Sequence, residues 1–244
     1  MRDLLTTPLF WLAVTLAVFE GADQLSRRSG RHPLCHPVLL ATPVLIGLLL
    51  ATRTSYQTYW AGTQALSFLL GPAVVGLAVP VWAQRALIRR LAVPIGLALV
   101  AGAATAVVSA VGILALFGAP HDILASIAPR ATTTPVAMAV AQQLGGVPAL
   151  AAVIVLIAGV IGAMTATPLF NAMKITDFRA RGLAVGVSAH GFGAARAFQV
   201  DQTAGAFASL GMALNAVATA TLLSVLAPVS YTHIRAHETD SYLV

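Results

Sequence analysis

Seven long apolar stretches, with clusters of polar residues between them, constrain this chain more than any other feature of its sequence. A helix needs about 20 apolar residues to cross the hydrocarbon core of a bilayer. Only 9% of the residues are charged, against about 25% in a soluble domain. Such a chain cannot cover a water-facing surface with polar groups, so it needs lipid as its solvent. The stretches are 4–25, 37–52, 60–82, 92–118, 149–172, 183–198 and 204–228.

Together these stretches predict an all-α fold, a polytopic transmembrane bundle of about six to eight helices. We assign residues 1–228 to one transmembrane domain. After Pro228, where the last helix is predicted to stop, the chain turns polar, and residues 229–244 are predicted to be a non-native tail. Acidic residues and no small-residue cleavage motif follow the hydrophobic start, so we expect an uncleaved first span.

The basic residues lie mainly in loops, and this decides how the net charge of +6 is interpreted. In a soluble chain such a charge would point to nucleic acid, but in a membrane protein loop arginines mark the cytoplasmic side. We therefore expect a multi-pass protein of the cell inner membrane with its N-terminus outside and no nucleic-acid partner. Three alternate loops hold nine of the fourteen cations: Arg27, Arg28 and Arg31; Arg85, Arg89 and Arg90; Lys174, Arg179 and Arg181.

The segment 120–148 lacks the pattern of a plain span. Thr134 is a good N-cap, Pro135 suits a first helical turn, and Gly145-Gly146 is a helix stop. The implied helix has about ten residues and a length of about 15 Å, which is half the thickness of the hydrocarbon core. A re-entrant hairpin is therefore predicted here.

Glycines interrupt the segment 182–203, which predicts a discontinuous helix with its backbone open to a cavity near Gly191–Gly193. Thr203 is the predicted cap of the final span. A short apolar run at 71–80 opens with a proline near its start, as the run at Pro135 does. This similarity predicts a distant repeat between the two halves, of the inverted kind found in transporters.

Arg130, three threonines and a helix N-terminus form the first candidate site. The free amide groups and the dipole at a helix start favour an anion. Arg130 adds a full positive charge, and Thr132, Thr133 and Thr134 add hydroxyls. This combination suits a small carboxylate. The alternative is that Arg130 snorkels to the membrane interface while the threonines satisfy local backbone groups.

His190, Gly191, Gly193 and Arg196 form the second candidate site, with Ser188 beside them. Ionisable residues inside a membrane are costly and mark functional positions. His190 titrates near neutrality and is able to carry a proton, and Arg196 is a second candidate contact for a carboxylate. A purely structural polar contact is the alternative. A hydrolase is not expected, because the spacing of Ser188 and His190 does not place them on one helix face.

The remaining polar residues indicate neither a metal nor a cofactor. His32, Cys35 and His36 have a spacing that suits metal ligands, but two prolines and a position next to a span favour a plain loop. Asn215, in the final span, either lines a pathway or forms an interhelical hydrogen bond. We therefore expect no metal, no cofactor and no catalytic residue.

Five motifs occur in order along the chain: Ala128-Pro-Arg-Ala-Thr-Thr-Thr-Pro-Val-Ala-Met138, Gly145-Gly146-Val-Pro148, Arg181-Gly-Leu-Ala-Val-Gly186, Ser188-Ala-His-Gly-Phe-Gly-Ala-Ala-Arg-Ala197 and Gly205-Ala-Phe-Ala-Ser-Leu-Gly-Met212. Phe68-Leu-Leu-Gly-Pro-Ala73 and Val79-Pro80 precede them. Together the motifs resemble those of the LrgB/CidB family, and the resemblance covers residues 5–228.

The resemblance implies an antiholin-like or holin-like membrane protein that modulates murein hydrolase activity and cell lysis. A plant plastid relative moves glycolate and glycerate, which implies transport of small carboxylates of the glycolate or pyruvate type. The family also implies a small LrgA/CidA-like membrane partner, and we expect a homo-oligomer. The chain departs from the family pattern at Ala194, where Thr is usual, and at Gln199 and Asp201, near the place where Glu is common. These departures leave the substrate and any coupling ion open.

We therefore expect an LrgB-like inner-membrane carrier of small organic acid anions whose activity affects cell-wall hydrolysis. The alternative is a holin-like or antiholin-like oligomeric pore or regulator with no substrate site.

Overall fold

The structure, a computed structural model, describes residues 7–32 and 35–240, and of Pro8 and 225–240 it describes the backbone alone. The described residues form helices and no strand, which confirms the all-α fold. The chain divides into two compact units, residues 1–79 and 80–244. In chain order the helices are α1 (Pro8–Arg28), α2 (Pro37–Thr52), α3 (Tyr56–Gly76), α4 (Ala78–Ala83), α5 (Arg85–Arg90), α6 (Ala92–Leu116), α7 (His121–Ile127), α8 (Thr134–Gln143), α9 (Pro148–Ala172), α10 (Phe178–Val200) and α11 (Gln202–Asp240).

Within the described residues, four helical segments are long and apolar enough to cross a membrane. They confirm a multi-pass membrane protein. The apolar helix α2, with 16 residues, is shorter than these four. The four segments are Tyr56–Ala83, Ala92–Leu116, Pro148–Ala172 and Gln202–Ser224.

The first unit is built on α1, which packs against α2 and α3. Trp11 on α1 is buried and meets the ring of Tyr59 on α3 edge to face, with 5.8 Å between the ring centroids. The Thr15 hydroxyl lies 3.2 Å from the Tyr59 hydroxyl and bonds to it. These contacts join α1 to the start of α3.

In the second unit, residues 121–143 form a helical hairpin, which we call hairpin A, at the place where a re-entrant hairpin was predicted. Its returning limb, α8, has ten residues, as predicted. The first limb is tied to the start of α9, because the Ser126 hydroxyl accepts a hydrogen bond at 2.8 Å from the N–H of Val147, the N-cap of α9. The helix begins one residue earlier than expected: Thr133 is the N-cap, and its side chain makes no capping hydrogen bond. The prediction of Thr134 as the cap was therefore wrong.

Helix α10 is also a hairpin, which we call hairpin B (residues 178–200). The backbone of His190 has φ 40° and ψ −128°, which no helix allows, and this breaks α10 into two limbs. A Cβ added to Gly193 would collide with the carbonyl oxygen of Val185. In a straight helix these residues would be about 12 Å apart, so the chain folds back at His190. The predicted discontinuity is confirmed, and it lies one residue before Gly191.

The α11 helix lies against the first limb of hairpin B and runs parallel to it. Gly182 abuts the Ala204 carbonyl, and four residues later Gly186 abuts the Ala208 carbonyl, so the missing side chains let the two backbones approach closely. The carboxylate of Asp201 accepts hydrogen bonds from the N–H groups of Thr203 and Ala204. Asp201, and not Thr203 as predicted, therefore caps the final helix.

The two hairpins enter the second unit from opposite ends. Hairpin A lies between α6 and α9, hairpin B lies between α9 and α11, and α9 crosses from one end to the other. A span followed by a hairpin thus occurs twice along the chain, as α6 with hairpin A and as α9 with hairpin B, and an inverted repeat of this kind stays a prediction. The predicted repeat was placed wrongly, because residues 71–80 contain Pro72 inside α3, whereas Pro135 opens α8.

Two of the basic clusters lie at one end of the second unit, as their assignment to one membrane side requires. Leu87 of α5 and Ile95 of α6 pack with Leu183, which follows the cluster at Arg179 and Arg181. That this end faces the cytoplasm stays a prediction from the positive-inside bias.

The last helix does not stop where the sequence predicted. Its backbone continues past Pro228 to Asp240, and residues 241–244 lie outside the described part of the chain. The assignment of residues 229–244 to a non-native tail stays a prediction.

Candidate functional site

Arg130 lies at the tip of hairpin A, beside the middle of α6. One of its terminal nitrogens donates to the carbonyl oxygen of Ala106 at 3.3 Å and to the Ser109 hydroxyl at 3.5 Å. Its Nε is buried and has no hydrogen-bond partner among the described residues. In the same part of the chain, no carboxylate lies within 4 Å of this guanidinium. A positive charge held at mid-span without a counter-ion is what an anion site requires.

Two cavities meet at Arg130. Cavity 1, of about 700 Å³, lies between α6 and the first limb of hairpin B. Cavity 2, of about 800 Å³, lies between α6, α9 and the same limb. Ser109, Arg130, Ala184 and Ser188 line both. Arg130 is thus the charged residue that is common to the two spaces.

The walls of both cavities are mainly apolar, with hydroxyls set singly among aliphatic side chains. The hydroxyls of Thr105, Thr165 and Ser188 each donate to a carbonyl one turn earlier in their own helix. Their hydroxyl hydrogens are therefore already bonded to the backbone, and Arg130 supplies the main attraction for a negative charge. Thr105, Ser109 and Thr165 were not predicted, since a single hydroxyl in an apolar span carries no distinctive pattern.

The three threonines after Arg130 have different environments. Thr132 is fully buried, and its hydroxyl donates to the Pro129 carbonyl at 2.8 Å. Thr133 is the N-cap of α8, and Thr134 is the first residue of that helix. None of the three lines cavity 1 or cavity 2. Thr132 thus shapes the hairpin turn, as in the alternative in which the threonines satisfy local backbone.

His190 is buried at the tip of hairpin B and faces α9. Its Nε2 lies 3.1 Å from the carbonyl oxygen of Val155, and since a carbonyl only accepts, Nε2 carries the proton. Gly159 lies so close that an added Cβ would be 2.5 Å from the His190 ring. The ring is therefore clamped between helices and lines neither cavity. Ser188 and His190 bond separate carbonyls and do not form a pair.

Arg196 and the glycines of hairpin B also lie away from Arg130. Gly193 packs on Val185, whereas a Cβ added to Gly191 would have only the Met212 sulfur nearby, at 4.0 Å. Arg196 lines a crevice of about 30 Å³ near Arg181 and donates to the Gln199 side chain at 3.3 Å. The predicted arrangement, in which Arg130 and Arg196 face one pocket, is therefore not the one in this structure.

Asp177 and Arg179 lie at the far end of cavity 1 from Arg130. The carboxylate of Asp177 accepts from the Arg179 N–H at 2.9 Å and from its guanidinium at 2.6 Å. These bonds lower the pKa of Asp177 below its ordinary value. The result is a neutral ion pair at the mouth of an otherwise apolar cavity.

Asn215 links the two hairpins. It is fully buried in α11, and its amide nitrogen donates to the carbonyl of Ala131 at 2.8 Å and to that of Val187 at 3.2 Å. Of the two roles predicted for Asn215, the interhelical hydrogen bond is the one observed.

The described residues do not bring three or more His, Cys, Asp or Glu side chains together in a group able to hold a metal ion.

Comparisons with known proteins agree with the membrane architecture. The LrgB-like family matches residues 15–229. The chain is 33% identical to the uncharacterized protein YwbG of Bacillus subtilis, over 85% of this chain and 92% of YwbG. It is 32% identical to the holin-like protein CidB of Staphylococcus epidermidis, over 82% of this chain and 87% of CidB. No solved structure matches the chain.

Proposed function

Because the chain belongs to the LrgB-like family of membrane proteins, we propose that it carries small organic acid anions across the inner membrane. Arg130 is the residue that contacts the carboxylate. The process is transport, with no covalent chemistry and no cofactor. The anion's passage links the protein to the control of murein hydrolases and cell lysis.

The single observation that carries this proposal is the state of Arg130. A guanidinium buried at mid-span without a carboxylate costs about 2.5–3.5 kcal/mol on insertion scales. Only backbone and hydroxyl oxygens satisfy it, and its Nε lacks a partner among the described residues. A bound carboxylate would supply both the counter-charge and the missing acceptor.

The shape of the surroundings supports a small substrate with a short apolar part. Arg130 lies where two cavities meet, and each has walls that are mainly aliphatic. Because Arg179 is paired with Asp177, Arg130 is the one lining cation of the two cavities without a counter-ion among the described residues. Such a site selects a monocarboxylate of the glycolate or pyruvate type over larger, multiply charged acids, because a second carboxylate would be desolvated without a partner.

The names of some relatives favour a second candidate. CidB of S. epidermidis is called a holin-like protein, so an oligomeric pore or regulator without a substrate site is the competing function. A homo-oligomer, and a small LrgA/CidA-like membrane protein as partner, belong to this proposal as well.

Uptake into proteoliposomes tests the carrier. Labelled glycolate and pyruvate are supplied to vesicles that contain the wild-type chain, Arg130→Ala, Arg130→Lys or Arg196→Ala. We expect saturable uptake for the wild type, a loss of at least about tenfold for Arg130→Ala, and partial activity for Arg130→Lys, which keeps the charge but not the fork of donors.

Arg196→Ala is the matched control, because this arginine lies in a separate crevice. Retained uptake supports a site centred on Arg130 alone. Loss of uptake in both arginine variants would instead support the two-arginine site predicted from the sequence. Leakage of a trapped dye without saturable uptake contradicts the carrier and favours the pore.

A further inference from the structure

Asn215 bonds to the backbone next to Arg130 and next to Ser188, two polar residues that line both cavities. Its amide nitrogen donates to the carbonyl of Ala131, which follows Arg130, and to the carbonyl of Val187, which precedes Ser188. Both Arg130 and Ser188 line both cavities. One side chain thus reaches the tip of hairpin A and the first limb of hairpin B at once.

The surroundings of Asn215 hold its amide in one orientation. The Thr219 hydroxyl, one turn later in α11, donates to the Asn215 side-chain oxygen at 3.2 Å. With its side-chain oxygen bonded to Thr219, Asn215 donates its two amide hydrogens to the carbonyls of Ala131 and Val187. Asn215 and Thr219 are both buried almost completely, so water does not compete for these bonds.

We infer that Asn215 is a positioning residue for the anion site, which it assembles by holding the Arg130 end of hairpin A against the Ser188 limb of hairpin B. The part of this inference that concerns transport rests on the proposed function. Its geometric part, that Asn215 sets the relation between Arg130 and Ser188, stands by itself. A carboxylate binds Arg130 only where hairpin A holds it. Loss of the two Asn215 hydrogen bonds should therefore weaken substrate binding more than it slows transport.

The test uses Asn215→Asp, which keeps the shape but loses both donors, and Asn215→Ser, whose short hydroxyl cannot reach both carbonyls. Ser209→Ala is the matched control, because Ser209 is equally buried in α11 and its hydroxyl bonds only the Gly205 carbonyl of the same helix. All variants are made in the full chain. Asn215→Ser keeps the test valid if the carboxylate of Asn215→Asp prevents folding.

The first readout does not depend on transport. Ser188→Cys is introduced with Cys35→Ser, and its rate of reaction with a water-soluble maleimide is measured in vesicles. We expect the rate to change at least about threefold in the Asn215 variants and to stay within twofold in Ser209→Ala. Equal rates in the parent and the Asn215 variants, including no reaction in any of them, overturn the inference.

The second readout is uptake of labelled glycolate and pyruvate by the same proteins without Ser188→Cys. We expect the substrate concentration for half-maximal uptake to rise about tenfold or more in Asn215→Ser, while the maximal rate falls less than threefold. A fall in maximal rate alone, with half-saturation unchanged, overturns the positioning role. If the wild type shows no saturable uptake, the proposed transport fails, and the maleimide result still decides whether Asn215 positions the two residues.

Discussion

Gly159 of α9 lies directly against the imidazole of His190, and a Cβ added there would be 2.5 Å from ring Cε1. The glycine allows the reversal of hairpin B, because the His190 ring fills the space that a side chain at position 159 would occupy. The Val155 carbonyl, one turn earlier in α9, accepts the bond from His190 Nε2. The tip of hairpin B therefore packs against α9 at two points: the space left by Gly159 and the hydrogen bond to Val155.

Gly159→Ala should destabilise the protein by about 1–3 kcal/mol, the usual cost of overpacking. The added methyl group would press on both His190 and Phe192. Thermal unfolding in detergent measures the loss. Gly112→Ala is the control, since nothing lies within 4 Å of a Cβ at that helical position. An equal loss of stability in the two variants would show that a methyl group at position 159 does not press on His190.

Ser126→Ala should loosen the contact between the first limb of hairpin A and the start of α9. The Ser126 side chain is fully buried, donates to the Asp122 carbonyl at 2.6 Å and accepts from the Val147 N–H at 2.8 Å. Its removal leaves that N–H without an acceptor, which costs about 1–3 kcal/mol. Unfolding measurements and limited proteolysis check this. Ser209→Ala, also buried, removes only a bond within one helix and should cost less; a larger loss for Ser209→Ala than for Ser126→Ala would contradict the account.

The Asp177–Arg179 pair should give the protein an acid-sensitive element. The bonds from Arg179 lower the pKa of Asp177 in the folded state, so its stabilising contribution is present above the unfolded pKa of about 3.9. That contribution is lost as the pH falls through the lower folded value. Both side chains are more than 40% exposed, so the effect is small.

Unfolding temperatures of wild type and Asp177→Asn, compared from pH 6 down to pH 3, test this element. The difference between the two proteins should shrink as the pH falls. A constant difference over the whole range would show that the ionised carboxylate contributes nothing. Asp122→Asn is the control, because the Asp122 carboxylate forms no ion pair with a described basic residue.

The opposite entry of the two hairpins should be visible from the two faces of the membrane. Phe117 ends α6 next to hairpin A, and Met173 ends α9 next to hairpin B; both are well exposed. In a Cys35→Ser background, an impermeant maleimide added outside intact cells should label Phe117→Cys and spare Met173→Cys. Labelling of both positions from outside would contradict the arrangement, and the reverse pattern would invert the predicted sidedness.

The sequence alone was enough for the class of the fold and for the existence of both broken segments. The length of the apolar stretches predicts that helices cross a bilayer. Pro135 and Gly145 mark the start and the end of a ten-residue helix at nearly the residues observed, because both act on local backbone geometry. Arg130 was identifiable for the same reason, because a lone charge beside a short helix is visible in the chain itself.

The tertiary structure decided which residues meet. His190 and Arg196 share a polar segment with Ser188, but the reversal at His190 turns its ring toward α9 and carries Arg196 back to the end near Arg181. Asn215 bonds to residues 84 and 28 positions away in the chain. Local signals specify where a helix ends, whereas the partner of a buried side chain depends on how separate helices pack, and that is not encoded in neighbouring residues.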